Sequence, residues 1–411
     1  MDTITYFVFG LVYLGMFLGR LPHLALDRTG VALLGAILLI VSGVLTPQAA
    51  WLAVDLPTLG LLFGLMVVSA QFRLGGFYSH FTLRLSSLRI SASGLLGLVV
   101  LSAGVLSAFL SNDIICLVMA PVLVAGCLER QLNPVPFLLA LACAANIGSA
   151  ATLIGNPQNM LIGQVLQLDF ATYSLQALVP VLAGLAVTWA VVHFFYRGRW
   201  ALHREPPELQ IRPFSQWQTG KAFAVLIVLV VVFILGNWPR EIVALAAAGV
   251  LLTSRRMHSR DMLQLVDWQL LVLFAGLFVV NHALLQTGAP TALVADLRAW
   301  GVDVTQPGWL MLAIVALSNV VSNVPAVMLL LPFAEHPLSG AVLALCSTLA
   351  GNLLIVGSIA NIIVVDQAAR YGITISWREH ARVGVPVTLL SLAVAALWLG
   401  FLGSEGFLGS E

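Results

Sequence analysis

Apolar runs long enough to cross a lipid bilayer occupy most of this chain, and they limit the folds open to it. A helix needs about 20 apolar residues to cross roughly 30 Å of hydrocarbon. Hydrophobic residues make up 60% of the 411 residues and charged residues only 9%, too few to cover a water-soluble protein of this length. The sequence therefore predicts a multi-pass, all-α membrane protein. The predicted runs are 3–18, 30–45, 57–72, 91–128, 134–165, 174–196, 221–238, 241–253, 268–286, 308–333, 339–366 and 384–402.

Composition and missing motifs exclude several function classes. A net charge of +1 does not suit a nucleic-acid-binding protein. The four cysteines lie apart in apolar runs, without the spacing of a zinc site or a disulfide framework. The chain has no HExxH, GxSxG or phosphate-loop motif, so we predict neither an enzyme nor a bound cofactor or metal. Run 3–18 lacks a basic start and a cleavage site, so we expect a retained membrane helix.

The two halves of the chain resemble each other. Three matches occur in the same order, and two of them keep polar residues at equal spacing. One match between apolar segments would be weak evidence, but three in order indicate an internal repeat. The matches pair 63–68 with 275–280, 111–121 with 322–332, and 154–159 with 356–361, at offsets of 212, 211 and 202 residues.

The basic residues decide between parallel and inverted repeats. If every run crosses the bilayer, the halves are parallel and the charged loops fall on both sides. If 91–128 and 308–333 are re-entrant hairpins, each half has five crossings and the second half is inverted. Of the 19 Lys and Arg residues, 17 then share one side and only Arg240 and Arg298 lie opposite, so the positive-inside rule selects the hairpins. The seventeen are Arg20, Arg28, Arg73, Arg84, Arg89, Arg130, Arg197, Arg199, Arg204, Arg212, Lys221, Arg255, Arg256, Arg260, Arg370, Arg378 and Arg382.

This topology predicts two inverted-topology repeats, each with five transmembrane helices and one re-entrant hairpin. Each repeat also contains a broken helix, and both termini lie outside the cell. The predicted divisions are a first repeat over 1–196 with its broken helix at 134–165, a cytoplasmic linker over 197–220, a second repeat over 221–402 with its broken helix at 339–366, and a tail over 403–411.

Polar residues interrupt four of the apolar runs, at the two predicted hairpin tips and within the two predicted broken helices. Polar backbone at membrane depth is tolerated only inside the protein or along a cavity. A broken helix also presents free N–H groups that can bind an anion or a polar oxygen. Close packing through small residues is the structural alternative. The predicted substrate-binding residues are Ser111, Asn112, Asn146, Gly148, Thr152, Gly155, Asn156, Asn159, Ser322, Asn323, Asn352, Gly357, Ser358 and Asn361.

Asp113 is the one ionisable residue well inside a predicted apolar run, since His282 and Asp366 lie nearer to run ends. An intramembrane carboxylate indicates function unless a structural partner explains it. Burial favours the neutral form of a carboxyl group, which suits a group that takes up and releases a proton. Asp113 is therefore the predicted proton-coupling residue, with a structural hydrogen bond to a neighbouring Asn as the alternative.

The motifs of the polar clusters resemble the ion transporter superfamily, which includes bacterial arsenite permeases, divalent anion/sodium symporters and some sodium/proton antiporters. The resemblance covers roughly residues 57–402. It implies inverted repeats, each with a hairpin and a broken helix, forming a scaffold domain and a moving transport domain. It also allows a homodimer and, for an arsenite permease, an ATPase subunit. The motifs are Ser111-Asn112-Asp113, the stretch 146–159, and Ser322-Asn323-Val324-Pro325.

Within the superfamily the tip residues favour one branch. The dicarboxylate branch carries Ser-Asn-Thr at both tips, whereas Asp113 and Val324 replace Thr here, as in the arsenite permeases. A neutral oxyacid needs only hydrogen bonds, and no Lys or Arg lies within the four clusters. The sequence thus predicts a bacterial inner-membrane transporter that exports arsenite or antimonite against protons by alternating access. The alternatives are a sodium-coupled permease for a dicarboxylate-like anion and a sodium/proton antiporter.

Overall fold

The computed structural model describes residues 1–19, 26–208, 213–254 and 256–404. Within these ranges the regular structure is helical and no β-strand occurs. The first half contains α1 (Asp2–Leu18), α2 (Arg28–Val41), α3 (Pro47–Ala53), α4 (Leu56–Leu74), α5 (Phe77–Ser86), α6 (Ala92–Phe109), α7 (Asn112–Glu129), α8 (Val135–Ser149), α9 (Pro157–Val165) and α10 (Phe170–Tyr196). The second half contains α11 (Gln216–Leu235), α12 (Arg240–Leu252), α13 (Ser259–Leu263), α14 (Trp268–Gln286), α15 (Ala289–Ala299), α16 (Pro307–Val321), α17 (Asn323–Leu330), α18 (Ser339–Ala350), α19 (Ile359–Arg370) and α20 (Trp377–Ser404).

Seven of the described helices are long and apolar enough to cross a membrane, namely α4, α6, α7, α10, α11, α14 and α20. The predicted all-α, multi-pass membrane class is thereby confirmed. Four short helices, α3, α5, α13 and α15, were not predicted, because a search for runs of about 20 apolar residues misses short and partly polar helices. The last predicted run, 384–402, is also too short, since α20 begins at Trp377.

Two glycines mark equivalent helix contacts in the two halves. A Cβ atom on Gly64 of α4 would lie 2.6 Å from the backbone carbonyl of Ala244 in α12. A Cβ atom on Gly276 of α14 would lie 2.8 Å from the backbone carbonyl carbon of Ala32 in α2. Both the glycines and their partners are 212 residues apart, which is the offset of the first sequence match. The small residues let the backbones touch, as is usual for helices packed in a membrane.

The end of α4 lies beside the start of the equivalent helix α14, as expected if the two helices run in opposite directions. Arg73, at the end of α4, and Asp267, which caps the start of α14, line the same cavity. Asp267 accepts a hydrogen bond from the backbone N–H of Leu270 at 3.0 Å, and Asp55 caps α4 through the N–H of Thr58 at 2.8 Å. Opposite directions are what an inverted repeat requires, and the inverted repeat itself remains our interpretation.

The first predicted hairpin is formed by α6 and α7, which meet at Ser111. Arg130, just after α7, donates a hydrogen bond to the carbonyl oxygen of Ile90, just before α6, at 2.6 Å. The two arms therefore begin and end at the same end of the molecule. In the second half α16 and α17 meet at Ser322, and a 3-10 turn over Leu331–Phe333 follows α17.

Basic side chains also fasten loops and helix ends. Arg204 of the linker donates to the carbonyl oxygen of Gly372, just before α20, at 2.8 Å. Lys221 donates to a carbonyl oxygen near the end of α12 at 2.8 Å. Some predictions cannot be compared, because parts of the linker and tail and three basic residues lie outside the described residues: 209–212, 405–411, Arg20, Arg212 and Arg255.

The centre of the molecule consists of α8 and α18. All 15 residues of α8 and all 12 residues of α18 are buried. A helix that is apolar on every side is expected to lie in the interior. Neither is long enough to cross the bilayer alone, so each depends on the half-helix that follows it, α9 or α19.

Candidate transport site

The two broken helices are interrupted at equivalent positions. Between α8 and α9, Asn156 accepts a hydrogen bond from the backbone N–H of Asn159 at 2.8 Å, and Pro157 occupies the first helical position. Between α18 and α19, Ser358 accepts from the backbone N–H of Ala360 at 3.2 Å. Asn156 and Ser358 are 202 residues apart, so each second half-helix starts with a side-chain cap at the same place in its repeat.

Paired hydrogen bonds join the two broken helices where they meet. Ser358 donates to Asn146 Oδ1 at 2.8 Å, and Asn156 donates to Thr348 Oγ1 at 3.2 Å. Thr348 lies 202 residues after Asn146, just as Ser358 lies 202 residues after Asn156. The two contacts are therefore equivalent, because each joins a residue before one break to the residue that caps the half-helix after the other break.

Asn146 is the most connected side chain of this centre. Its Oδ1 accepts from Asn112 at 3.1 Å as well as from Ser358. Its Nδ2 donates to Asn352 Oδ1 at 2.8 Å and to Asn361 Oδ1 at 3.4 Å. One buried amide thus connects a hairpin tip with both sides of the second break, and its own oxygen and nitrogen are both hydrogen-bonded.

Both hairpin tips reach this centre. Asn112 begins α7 and Asn323 begins α17, and the amide nitrogen of Asn323 lies beside Gly351. The N-terminal ends of α7 and α17 thus contribute N–H groups and a positive dipole end to the site. Ser322 joins the second hairpin with φ of 77°, a conformation that favours glycine and is typical of a functional constraint.

Six buried polar atoms near the tips and the second break have no hydrogen-bond partner among the described residues: Oδ1 of Asn112, Asn319 and Asn323, Nδ2 of Asn352, and the hydroxyl groups of Ser107 and Ser318. Four of them form equivalent pairs, Asn112 with Asn323 and Ser107 with Ser318. Both pairs are 211 residues apart, the offset of the hairpin match. Buried polar groups are usually satisfied, and a symmetric set of exceptions indicates a site that accepts a ligand.

Other predicted site residues position the backbone. The Thr152 hydroxyl donates to the carbonyl oxygen of Ala108 in the first hairpin. A Cβ atom on Gly155 would lie 2.2 Å from the carbonyl oxygen of Ser149, so only glycine lets the first break fold this tightly. Backbone or polar atoms also approach two further glycines, so packing accounts for them at least as well as substrate binding: Gly148 and Gly357.

Asp113 faces a separate cavity of about 190 Å³ beside the first hairpin tip. No hydrogen bond joins its carboxylate to a described residue, so the structural alternative of an Asn partner finds no support there. Asp267 and Arg73 line the same cavity, although the sequence placed no basic residue in the clusters. They reach Asp113 because the end of α4 and the start of α14 lie together, which one sequence does not show.

Several polar residues of the site were missed in the sequence. Thr348 could have been found, because it lies one repeat offset from Asn146. Gln158 donates to Thr348 at 3.2 Å, and Tyr173 accepts from Asn159 at 3.1 Å. His380 is buried although the sequence placed it before the last span. At the other hairpin, Tyr13 donates to Asn281 Oδ1 at 2.8 Å and to the Pro325 carbonyl oxygen at 3.4 Å, a contact with no sequence signal.

Two helices broken in the buried interior, hairpins that end beside the breaks and a buried polar centre are typical of a membrane transporter. The chain belongs to the citrate transporter family (CitMHS), whose sequence model matches residues 11–342. This confirms the resemblance to the ion transporter superfamily. The family and the relatives are transporters and not enzymes.

Relatives extend over almost the whole chain. The silicon efflux transporter LSI3 of Oryza sativa subsp. japonica is 30% identical over 95% of this chain and 96% of that protein. The 46 kDa membrane protein of Mycobacterium leprae is 29% identical over 92% and 94%. The putative transporter arsB of Dictyostelium discoideum is 22% identical over 90% and 87%.

The fold is also similar to a solved structure. The crystal structure of the Alcanivorax borkumensis YdaH transporter, described as having an unusual topology, superimposes with a TM-score of 0.58. The match covers 98% of each chain at 14% sequence identity. It shows a shared fold and carries no information about substrate.

Proposed function

We propose that this protein is a proton-coupled secondary transporter that exports a small uncharged oxyacid, such as arsenous or antimonous acid, by alternating access. The observation that carries the proposal is that the uncharged polar groups and the carboxylate occupy separate places. The centre holds amides and hydroxyls without a fixed charge, whereas the carboxylate of Asp113 lies in an adjoining cavity. One site can then bind a neutral molecule while the other binds a proton.

The unpartnered atoms favour a ligand that donates hydrogen bonds. Asn112 Oδ1 and Asn323 Oδ1 are acceptors only, and the two unpartnered serine hydroxyls can donate or accept. A molecule with several O–H groups can satisfy all four atoms, since each O–H donates to an amide oxygen and each oxygen accepts from a serine. A carboxylate has no hydrogen to donate, so it can accept from the two serine hydroxyls and from Asn352 Nδ2 but leaves Oδ1 of Asn112 and of Asn323 without a donor.

Names of the relatives agree with this chemistry. One relative is called a silicon efflux transporter and another carries the name arsB. Silicic acid and arsenous acid are both inorganic oxyacids with several O–H groups, and both stay uncharged at neutral pH. A centre that binds O–H groups suits either molecule, and outward transport matches the word efflux.

A sodium-coupled permease for an anion such as citrate, or a sodium/proton antiporter, is the second candidate. The family description names citrate, and Arg73 lines the cavity of Asp113, where it could attract an anion. Amide and backbone carbonyl oxygens at the two tips are ligands that suit a hard cation. Sodium dependence of transport therefore separates the two candidates.

Reconstitution into proteoliposomes with an internal pH-sensitive dye tests the proposal. Arsenite, antimonite, silicic acid, citrate and sodium are added in turn to wild type, Asp113→Asn and Asp366→Asn. The last variant is the control, because Asp366 forms an exposed pair with Arg370 at 3.0 Å. Arsenite-driven proton movement should persist in the control and disappear in Asp113→Asn. Sodium-dependent citrate uptake without any response to arsenite would refute the proposal.

The predicted membrane orientation belongs to the same proposal. We place the protein in a bacterial inner membrane with two inverted repeats, the linker 197–220 in the cytoplasm and both termini outside. The four native cysteines are buried, so a single cysteine introduced by Glu205→Cys in the linker should report its side alone. Labelling of intact cells by an impermeant maleimide would contradict this orientation. A homodimer and an ATPase subunit stay predictions, tested by the mass of the purified complex.

A further inference from the structure

His380 is a buried histidine in contact with the second break. It lies in the first turns of α20 with 1% of its surface exposed. Its Nε2 atom is 3.1 Å from the backbone carbonyl oxygen of Asn352. One turn later, a Cβ atom on Gly384 would lie 2.3 Å from the same oxygen, so α20 is pressed against this point of the loop.

The first break has an equivalent contact. Tyr173 donates from its hydroxyl to the carbonyl oxygen of Ala150 at 2.7 Å. Ala150 and Asn352 are 202 residues apart, the offset that relates the breaks. Tyr173 is the fourth residue of α10, as His380 is the fourth residue of α20. Each half thus holds the carbonyl of its break with a ring donor from its last helix, but only the second donor is a side chain whose ordinary pKa lies near neutral pH.

The partner of His380 fixes its protonation state. A carbonyl oxygen only accepts, so Nε2 must carry the hydrogen of the neutral ring and Nδ1 is left as an acceptor. Nδ1 is buried and has no partner among the described residues. It is therefore free to take up a proton, which the hydroxyl of Tyr173 in the first half cannot do.

Burial in an apolar interior disfavours the charged form of the His380 ring, and one feature of its surroundings favours that form. Asn352 follows the end of α18, and the carbonyl end of a helix attracts a cation. The helices that pack most closely against α20 are α8, α10 and α18. Neither α8 nor α18 carries a charged residue. The titratable groups of these three helices and of the first turns of α20 are Cys143, Tyr173, His193, Tyr196, Cys346, Arg378, Glu379 and Arg382.

We propose that His380 is a second proton-binding group, a positioning residue that acts through Asn352 on the central amide of Asn146. The inference rests on the proposed transport function and adds a proton site in the half that lacks Asp113. A proton at Nδ1 makes the donor charged, which strengthens the hydrogen bond to the Asn352 carbonyl. Because the Asn352 side chain accepts from Asn146 at 2.8 Å, this fixes the second break in the arrangement that binds substrate.

Nitrogen NMR tests the hydrogen bond without any substrate. The protein is labelled with ¹⁵N-histidine in lipid nanodiscs, and the difference from His380→Gln assigns the His380 ring. We expect the neutral tautomer with hydrogen on Nε2, and protonation of Nδ1 as the pH falls. A neutral ring with hydrogen on Nδ1, or a ring that takes up no proton down to the pH where the protein unfolds, would overturn the proposal.

Transport across a pH series tests the role. His380→Gln keeps a donor, so its arsenite transport at neutral pH should stay within about twofold of wild type while one titrating step disappears. His380→Leu should lose about tenfold or more, since it leaves the Asn352 carbonyl unpaired. Tyr173→Phe, the matched variant of the first half, should lower transport and keep the wild-type pH profile.

The outcomes separate this inference from the proposed function. If the proteoliposomes transport only sodium and citrate, the oxyacid proposal fails, and the same variants are then measured with citrate. If His380→Leu transports whichever substrate is found as wild type does at every pH, the inference about His380 fails alone. If the pH profile of transport by His380→Gln keeps every titrating step of wild type, the inference about His380 fails as well.

Discussion

The hydroxyl of Thr348 should stabilise the contact between the broken helices, and Thr348→Val measures how much it contributes. Valine keeps the shape of threonine and removes the hydroxyl. Gln158 Nε2 then loses its described partner and Asn159 Oδ1 loses the hydrogen bond that it accepts at 3.5 Å, while Asn156 keeps its hydrogen bond to Ser149 at 2.9 Å. Each buried polar group without a partner costs about 1–3 kcal/mol. Interhelical hydrogen bonds in membranes contribute less on average, so we expect about 1 kcal/mol.

The structure provides a matched control for this substitution. Thr388 in α20 is 1% exposed, as Thr348 is, but its hydroxyl has no partner among the described residues. Thr388→Val should therefore leave stability unchanged or raise it slightly, because a buried polar group without a partner is lost. The two variants make the same chemical change at the same burial and differ only in the hydrogen bonds removed.

The protein contains its own reporter of unfolding. Its four cysteines are buried, so a thiol-reactive dye labels them only when the structure opens. Denaturant titration of wild type, Thr348→Val and Thr388→Val in detergent micelles gives the three midpoints. Thr348→Val should unfold at lower denaturant and transport more slowly. Equal midpoints for the two variants, or a lower midpoint for Thr388→Val, would refute the reasoning.

Three further predictions concern the hairpins and the helix contacts around them. Gly64→Ala should destabilise by about 1–3 kcal/mol, because its Cβ meets backbone, whereas Gly249→Ala, with open space around it, should be neutral or stabilising in the same thiol assay. Ser322→Gly should raise stability by about 1 kcal/mol, since it relieves a positive φ, and an unchanged midpoint would argue against strain. Tyr13→Phe removes the contact between α1 and the second hairpin and should lower stability by about 1 kcal/mol, seen as faster thiol labelling.

The polar clusters could be located from the sequence because polar residues at membrane depth are few. Asn112, Asn146 and Asn352 stood out against apolar surroundings, and the structure brings them together. The hydroxyl of Thr348 did not stand out, since a single threonine in an apolar helix is easily tolerated. The repeat offset from Asn146 points to Thr348, but its partner Gln158, 190 residues away, cannot be found from one sequence.

Residues that approach the site from other helices could not be predicted from the sequence either. Arg73 lies at the end of a span and was counted only as a topology signal, yet α4 carries it to the cavity of Asp113. His380 lies before the last predicted span, because hydropathy alone begins that span at Gly384. The helix is longer, since its first turn is polar and extends toward the linker.

The contact between Asn146 and Asn352 also has a consequence for how the protein is made. The two residues are 206 positions apart, so Asn146 enters the membrane long before its partner is synthesised. Until then, Asn112 of the first half can pair with Asn146 Oδ1, but Asn146 Nδ2 lacks both of its partners, Asn352 and Asn361. A ribosome that stalls in the linker would leave a half-protein unable to close its own centre. Two halves expressed as separate chains should each be degraded alone and rescue one another when produced together.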